Sequence, residues 1–160
     1  MSGSRIEKGT PQARLVMAMI DAWLDEDFFR LDELMDRIGS DFGIVFWLLI
    51  VVLGGTIQGI ANYADKTFEE VLPQLLVQMA LRTEEEVAAD LARQALTAWC
   101  SGEDDLVTNL DFDEAIANAG PKLVLLHLLA MLASITRSWA DQSGFPMVDI
   151  RTGWVMALGV

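Results

Sequence analysis

His127 and Cys100 are the only histidine and the only cysteine in the chain, so any imidazole or thiol chemistry has to run through one of them. An imidazole becomes a metal ligand or a general base in company. His127 stands alone in Leu-Val-Leu-Leu-His-Leu-Leu, and the residue three before it is Val124, where a di-iron helix bundle would place a glutamate. A neutral core histidine with its nitrogens hydrogen-bonded is the expectation. A reactive thiol needs a neighbouring cation or a helix N-terminus to hold the thiolate. Cys100 closes a helical stretch and is followed by Glu103 and Asp104, so the thiolate is disfavoured and a structural role follows.

Carboxylates are the remaining chemical resource, in runs at Asp25 to Asp27, Asp32-Glu33, Glu69-Glu70, Glu84 to Glu86, Glu103 to Asp105 and Asp111 to Glu114. None has the alternating acidic spacing with a central glycine of a calcium loop. They read as helix starts and solvated turns, where negative charge meets the positive end of the helix dipole. The phosphate loop, the dinucleotide fingerprint and the nucleophile elbow are all missing from the sequence. No enzyme activity, no metal and no cofactor is expected.

Collectively the acid matters more. Eleven Lys and Arg against 24 Asp and Glu give a net charge of −13, which repels nucleic acid and attracts basic partners. Two readings follow: charge that keeps a 52% hydrophobic chain soluble, or a nucleic-acid mimic that inhibits a basic protein. One cysteine allows no intramolecular disulfide, which suits a cytoplasmic protein, and Met1 to Arg14 shows no export signal.

The elements that carry these residues are helical throughout, and the 160 residues fit one all-α domain behind a flexible stretch at 1–10. Thr10-Pro11 starts a first helix ending near Leu24. The Asp25 to Asp27 cluster starts a second, with Phe28, Leu31, Met35 and Ile38 on its apolar face and Gly39 as its stop. A long apolar helix follows from Phe42 to Ala64. Thr67 to Glu70 is a capping box for a fourth helix bent at Pro73, and Thr83 to Glu86 is another for a fifth that ends at Ser101-Gly102. Leu106 to Ala119 has no firm pattern. Gly120-Pro121 opens a helix to Trp139, and Phe145 to Val160, interrupted by Pro146, Gly153 and Gly159, leaves helix, strand and coil open. The sum is a bundle of about seven to eight helices.

Phe42 to Ala64 is 23 residues without a charge, long enough to span a bilayer. Its unbroken apolar run stops at Leu53, however, and Gly54, Gly55, Thr56, Gln58, Gly59 and Asn62 follow, which favours a helix packed inside protein. Membrane association is the alternative.

Displacing the chain by 76 residues sets Ala13–Lys66 on Ala89–Gln142 without a gap, matching Leu15 with Leu91, Ala22-Trp23 with Ala98-Trp99, Leu49 with Leu125 and Asp65 with Asp141. Tyr63 then faces Trp139. Two pseudo-repeated halves, 11–81 and 84–158, around two central apolar helices are therefore expected. In the second copy the uncharged stretch is only the 14 residues Leu123 to Thr136, too short to cross a bilayer. Gly55 and Gly59 in one copy, and Ala130 and Ser134 in the other, are small residues four apart, the spacing of a close helix crossing or a homodimer seam.

The Ala-Trp helix end, the Asp-rich turn, the long Leu-rich helix, Tyr63-Ala64-Asp65 and Thr67-Phe68-Glu69-Glu70-Val71-Leu72 together resemble small all-helical proteins frequent in actinobacteria. The resemblance implies an all-α fold and carries over no activity. The expected function is a non-enzymatic helical interaction or regulatory protein with a protein partner, a second copy of itself included. Phe28, Phe29, Trp47, Phe145 and Trp154 are the apolar residues to examine for a groove.

Overall fold

The computed structural model describes residues 9–38, 42–80, 92–97 and 120–160, and among them the fold is all-α. In chain order the helices are α1 (Pro11–Leu24), α2 (Phe28–Asp36), α3 (Phe42–Tyr63), α4 (Phe68–Ala80), α5 (92–97), α6 (Pro121–Ser143) and α7 (Met147–Leu158). The Gly39 stop, the capping box at Thr83, the helix end at Trp99 and Cys100, and the segment 106–119 lie outside the described residues, as do the acidic runs at 84–86, 103–105 and 111–114.

Local chemistry sets the helix starts. The Thr10 hydroxyl accepts the Ala13 N–H at 3.1 Å, with Pro11 at the first helical position. Of the Asp25 to Asp27 cluster, Asp27 is the cap, accepting the Arg30 N–H at 3.2 Å, while Glu26 turns the chain at φ 58°. The capping box forms reciprocally: the Glu70 N–H donates to Thr67 Oγ1 and the Thr67 N–H to Glu70 Oε1, each at 3.2 Å. α4 continues through Pro73 to Ala80. The tail resolves to helix because Pro146 stands at the N-cap and Gly159, at φ 71°, closes the C-terminus in the left-handed conformation. Its buried residues, Ile150, Trp154 and Leu158, recur every four positions and form one apolar stripe.

α3 and α6 form the centre. Phe46, Leu49, Ile50, Leu53 and Ile57 of α3 and Leu125, Leu128, Leu129 and Met131 of α6 are all at most 1% exposed. The two helices run the same way: Gly59 of α3 meets Trp139 of α6 near their C-terminal ends, and Lys122 at the start of α6 bridges to Asp36 at the end of α2. α7 runs back against α1, with Gly9 N–H donating to Leu158 O at 2.8 Å and Arg151 paired with Asp21. Each buried Leu, Ile or Phe contributes about 1.5–3 kcal/mol, against about 0–1 kcal/mol for an exposed ion pair, so the central pair rather than the surface charges holds the bundle.

At the 76-residue offset, Leu48, Leu49, Val52, Leu53, Thr56 and Ile57 fall on Val124, Leu125, Leu128, Leu129, Leu132 and Ala133, and every one is buried. Val16, Met19 and Ile20 likewise fall on buried Ala92, Ala95 and Leu96. Other pairs differ: Met17, Phe46, Trp47 and Ala61 are buried where Arg93, Lys122, Leu123 and Arg137 are exposed, and Gly55 is exposed where Met131 is buried.

Both central helices are long and apolar enough to cross a membrane by length and composition. α6 reaches this because the helix extends beyond its uncharged stretch, past Lys122 and Arg137, to 23 residues; counting uncharged positions alone undervalued it. Within the fold, 67% of the apolar window of α3 and 56% of that of α6 are buried against the rest of the chain. Of the aromatic residues examined for a groove, Trp47 and Trp154 are core, whereas Phe28, Phe29 and Phe145 are exposed.

Candidate functional site

The two small-residue pairs open onto different sides of the bundle. Ala130 and Ser134 border a pocket of 440 Å³ with Trp23, Arg137 and Asp141. Gly55 and Gly59 line a larger pocket of 620 Å³, formed by α3, the end of α6 and α7. The pairs therefore do not face each other, and the members of the α3 pair differ. A Cβ placed on Gly59 would lie 3.0 Å from Trp139 Cη2, so here α3 does lie against α6, through an indole ring rather than through backbone. A Cβ on Gly55 would meet nothing within 4 Å.

Gly153 repeats the Gly55 situation from the opposite wall. It lies inside α7, lines the same pocket, and a Cβ there would also meet nothing within 4 Å. Between these glycines the walls are joined by one buried polar link. Trp154 Nε1–H donates to Thr56 Oγ1 at 2.9 Å, and the Thr56 hydroxyl donates onward to Val52 O at 2.8 Å. Both side chains are nearly sealed, at 4% exposure each, and the bond ties residues 98 positions apart. Thr56 has thus spent its proton on its own helix.

The rim is aromatic. Phe145 stands edge-on to Tyr63, with centroids 5.8 Å apart, and to Trp139, at 5.9 Å. Trp139 Nε1 is buried and meets no acceptor. Tyr63 and Phe145 are 57% and 44% exposed, and Asp149, in the first turn of α7, is the one carboxylate among the described lining residues. Neither lysine nor arginine is among the described lining residues. The two cations whose proton affinity is shifted are engaged elsewhere. Lys122 is raised above its usual 10.5 by its hydrogen bond to Asp36 and the charge there, and Arg151 is raised by its two-pronged bond to Asp21.

His127 is 5% exposed within α6 and does not line this pocket. Among the described residues no three His, Cys, Asp or Glu side chains come together to hold a metal ion. The described lining holds no histidine, cysteine, serine or lysine; its polar groups are Thr56, Asn62, Tyr63, the Trp139 and Trp154 indoles and Asp149. The comparisons find no match to a known family, to a curated protein or to a solved structure.

The sequence singles out Gly55 and Gly59 as a close helix crossing or a homodimer seam; within the chain Gly59 lies against another helix and Gly55 does not. Sequence reasoning missed Gly153, the Thr56–Trp154 link and Asp149. The available signal was a glycine inside each of two helices, at positions where alanine is the better helix former.

Proposed function

We propose that the chain is a non-enzymatic helical binding protein with a regulatory or interaction role, and that its working surface is the pocket between α3 and α7. The pocket takes the apolar part of a small ligand. One observation carries this reading: a pocket of 620 Å³ opens between α3 and α7, with Val51, Val52 and Ile150 in its lining, an aromatic rim, and the exposed helix glycines Gly55 and Gly153 presenting no side chain to it. Each costs about 0.5–1 kcal/mol relative to alanine, and nothing in the packing requires it. Gly59, by contrast, makes room for the Trp139 ring. Two exposed glycines in its lining leave the mouth open, and 620 Å³ falls within the roughly 300–1,000 Å³ of small-molecule sites. The acid outside the pocket keeps an apolar chain soluble in the cytoplasm in this reading.

A neutral apolar fluorophore such as N-phenylnaphthylamine tests it. The folded chain is expected to bind the dye saturably at one site. Gly55→Leu and Gly153→Leu each fill the pocket, and each is expected to weaken binding at least tenfold while the helical circular dichroism is retained. Absence of saturable binding to the folded wild-type chain refutes the reading.

A further inference from the structure

Resting on that reading of the pocket, we propose that its ligand is a small organic cation, an apolar body carrying an ammonium head. The body fits against Val51, Val52 and Ile150, and the head lies at the rim among Tyr63, Phe145 and Trp139 beside Asp149. Three features select this chemistry. The rim rings stand at steep angles to one another, 73° for Tyr63 and Phe145 and 63° for Trp139 and Phe145. In each pair the edge of one ring meets the face of the other, so the rings form walls rather than a stack, and a face turned to the pocket attracts a cation. Asp149 is the single fixed charge of the described lining, and no lysine or arginine there neutralises it.

The third feature is the field around the pocket. α3 and α6 end at Tyr63 and Ser143 and point the negative ends of their dipoles at the rim, two against the one positive end of α7, whose first turn holds Asp149. A chain at −13 raises the local concentration of cations further. A fatty acid of the same shape would set its carboxylate against Asp149 with no cation to receive it. A neutral hydrocarbon would use the floor and leave the rings and Asp149 without a role. Only the buried Nε1–H of Trp139 favours an acceptor on the ligand.

The test uses the full chain and three probes of matched length: hydroxyhexyl-trimethylammonium, the uncharged alcohol in which carbon replaces its quaternary nitrogen, and octanoate. Titration calorimetry and the fluorescence of Trp139 and Trp154 report binding. The cation is expected to bind at least about fivefold tighter than the alcohol, with octanoate weakest. Asp149→Asn and, independently, Phe145→Leu are expected to bring the cation and the alcohol close to parity. Both residues lie at the exposed rim, so a folded variant is expected, and circular dichroism checks it. An alcohol as tight as the cation, octanoate as the tightest probe, or a preference unchanged in both variants overturns the assignment of charge while leaving an apolar pocket standing. If the folded chain does not bind the neutral dye saturably, the pocket reading itself falls, whatever the three probes do.

Discussion

Gly55 and Gly59 share a helix, a spacing and a sequence motif, yet replacing each by alanine should move stability in opposite directions. Both gain the helix propensity of alanine, about 0.8–1 kcal/mol, much of it through a less flexible unfolded chain. At Gly55 nothing opposes the gain, because the new methyl meets no atom within 4 Å. At Gly59 the methyl arrives 3.0 Å from Cη2 of Trp139, and the ring is backed by Phe145 at a centroid distance of 5.9 Å. Relief then requires the indole or the helix to shift, and overpacking of this kind costs about 1–3 kcal/mol. The net for Gly59→Ala is a loss of about 0–2 kcal/mol, against a gain of nearly 1 kcal/mol for Gly55→Ala. In a chain of this size each kcal/mol moves the melting midpoint by about 2–4 °C. Urea and thermal unfolding followed by circular dichroism should place Gly55→Ala above wild type and Gly59→Ala below it or level. Equal gains at both positions would show that Trp139 does not pack on Gly59, and a loss at Gly55 would show that its open space is filled.

The other expectations concern the link, the cap and the charges. Thr56→Val leaves Trp154 Nε1 buried without its acceptor and should cost about 1–3 kcal/mol; adding Trp154→Phe should make the pair less destabilised than the sum of the single changes, as a double-mutant cycle in urea would read. Thr67→Ala removes the acceptor for the Glu70 N–H and should cost about 1 kcal/mol by the same assay, with no change in dye binding. Because Asp36 raises Lys122, the folded chain holds that proton more tightly than the unfolded one. The contribution is therefore complete below pH 10.5 and fades as pH climbs through the raised value. Lys122→Met should differ from wild type by a constant amount between pH 7 and about 9 and converge with it at strongly alkaline pH, and a difference that grows with pH would contradict the pairing.

Helix identity was legible because it rests on local signals. Thr10-Pro11, Asp27 and the Thr67 to Glu70 box each satisfy backbone donors within four residues of themselves, so sequence spacing alone identifies them. The central place of α3 and α6 was legible too, since an apolar stretch of that length leaves few faces for water. The last helix was not, because glycine and proline weaken the periodic signal and Pro146 works as a start only when Ile150, Trp154 and Leu158 have a surface to bury against.

The pocket belongs to the tertiary structure. A glycine reads the same in sequence whether a ring presses on it, as at Gly59, or nothing approaches it, as at Gly55, and only the path of the neighbouring helices separates the two. Thr56 and Trp154 stand 98 residues apart, and Tyr63 and Phe145 meet only because α3 and α6 end side by side. Hydrogen bonds within a turn are fixed by chain geometry. Which apolar stripes pair, and what volume they leave between them, is decided by the simultaneous packing of every helix.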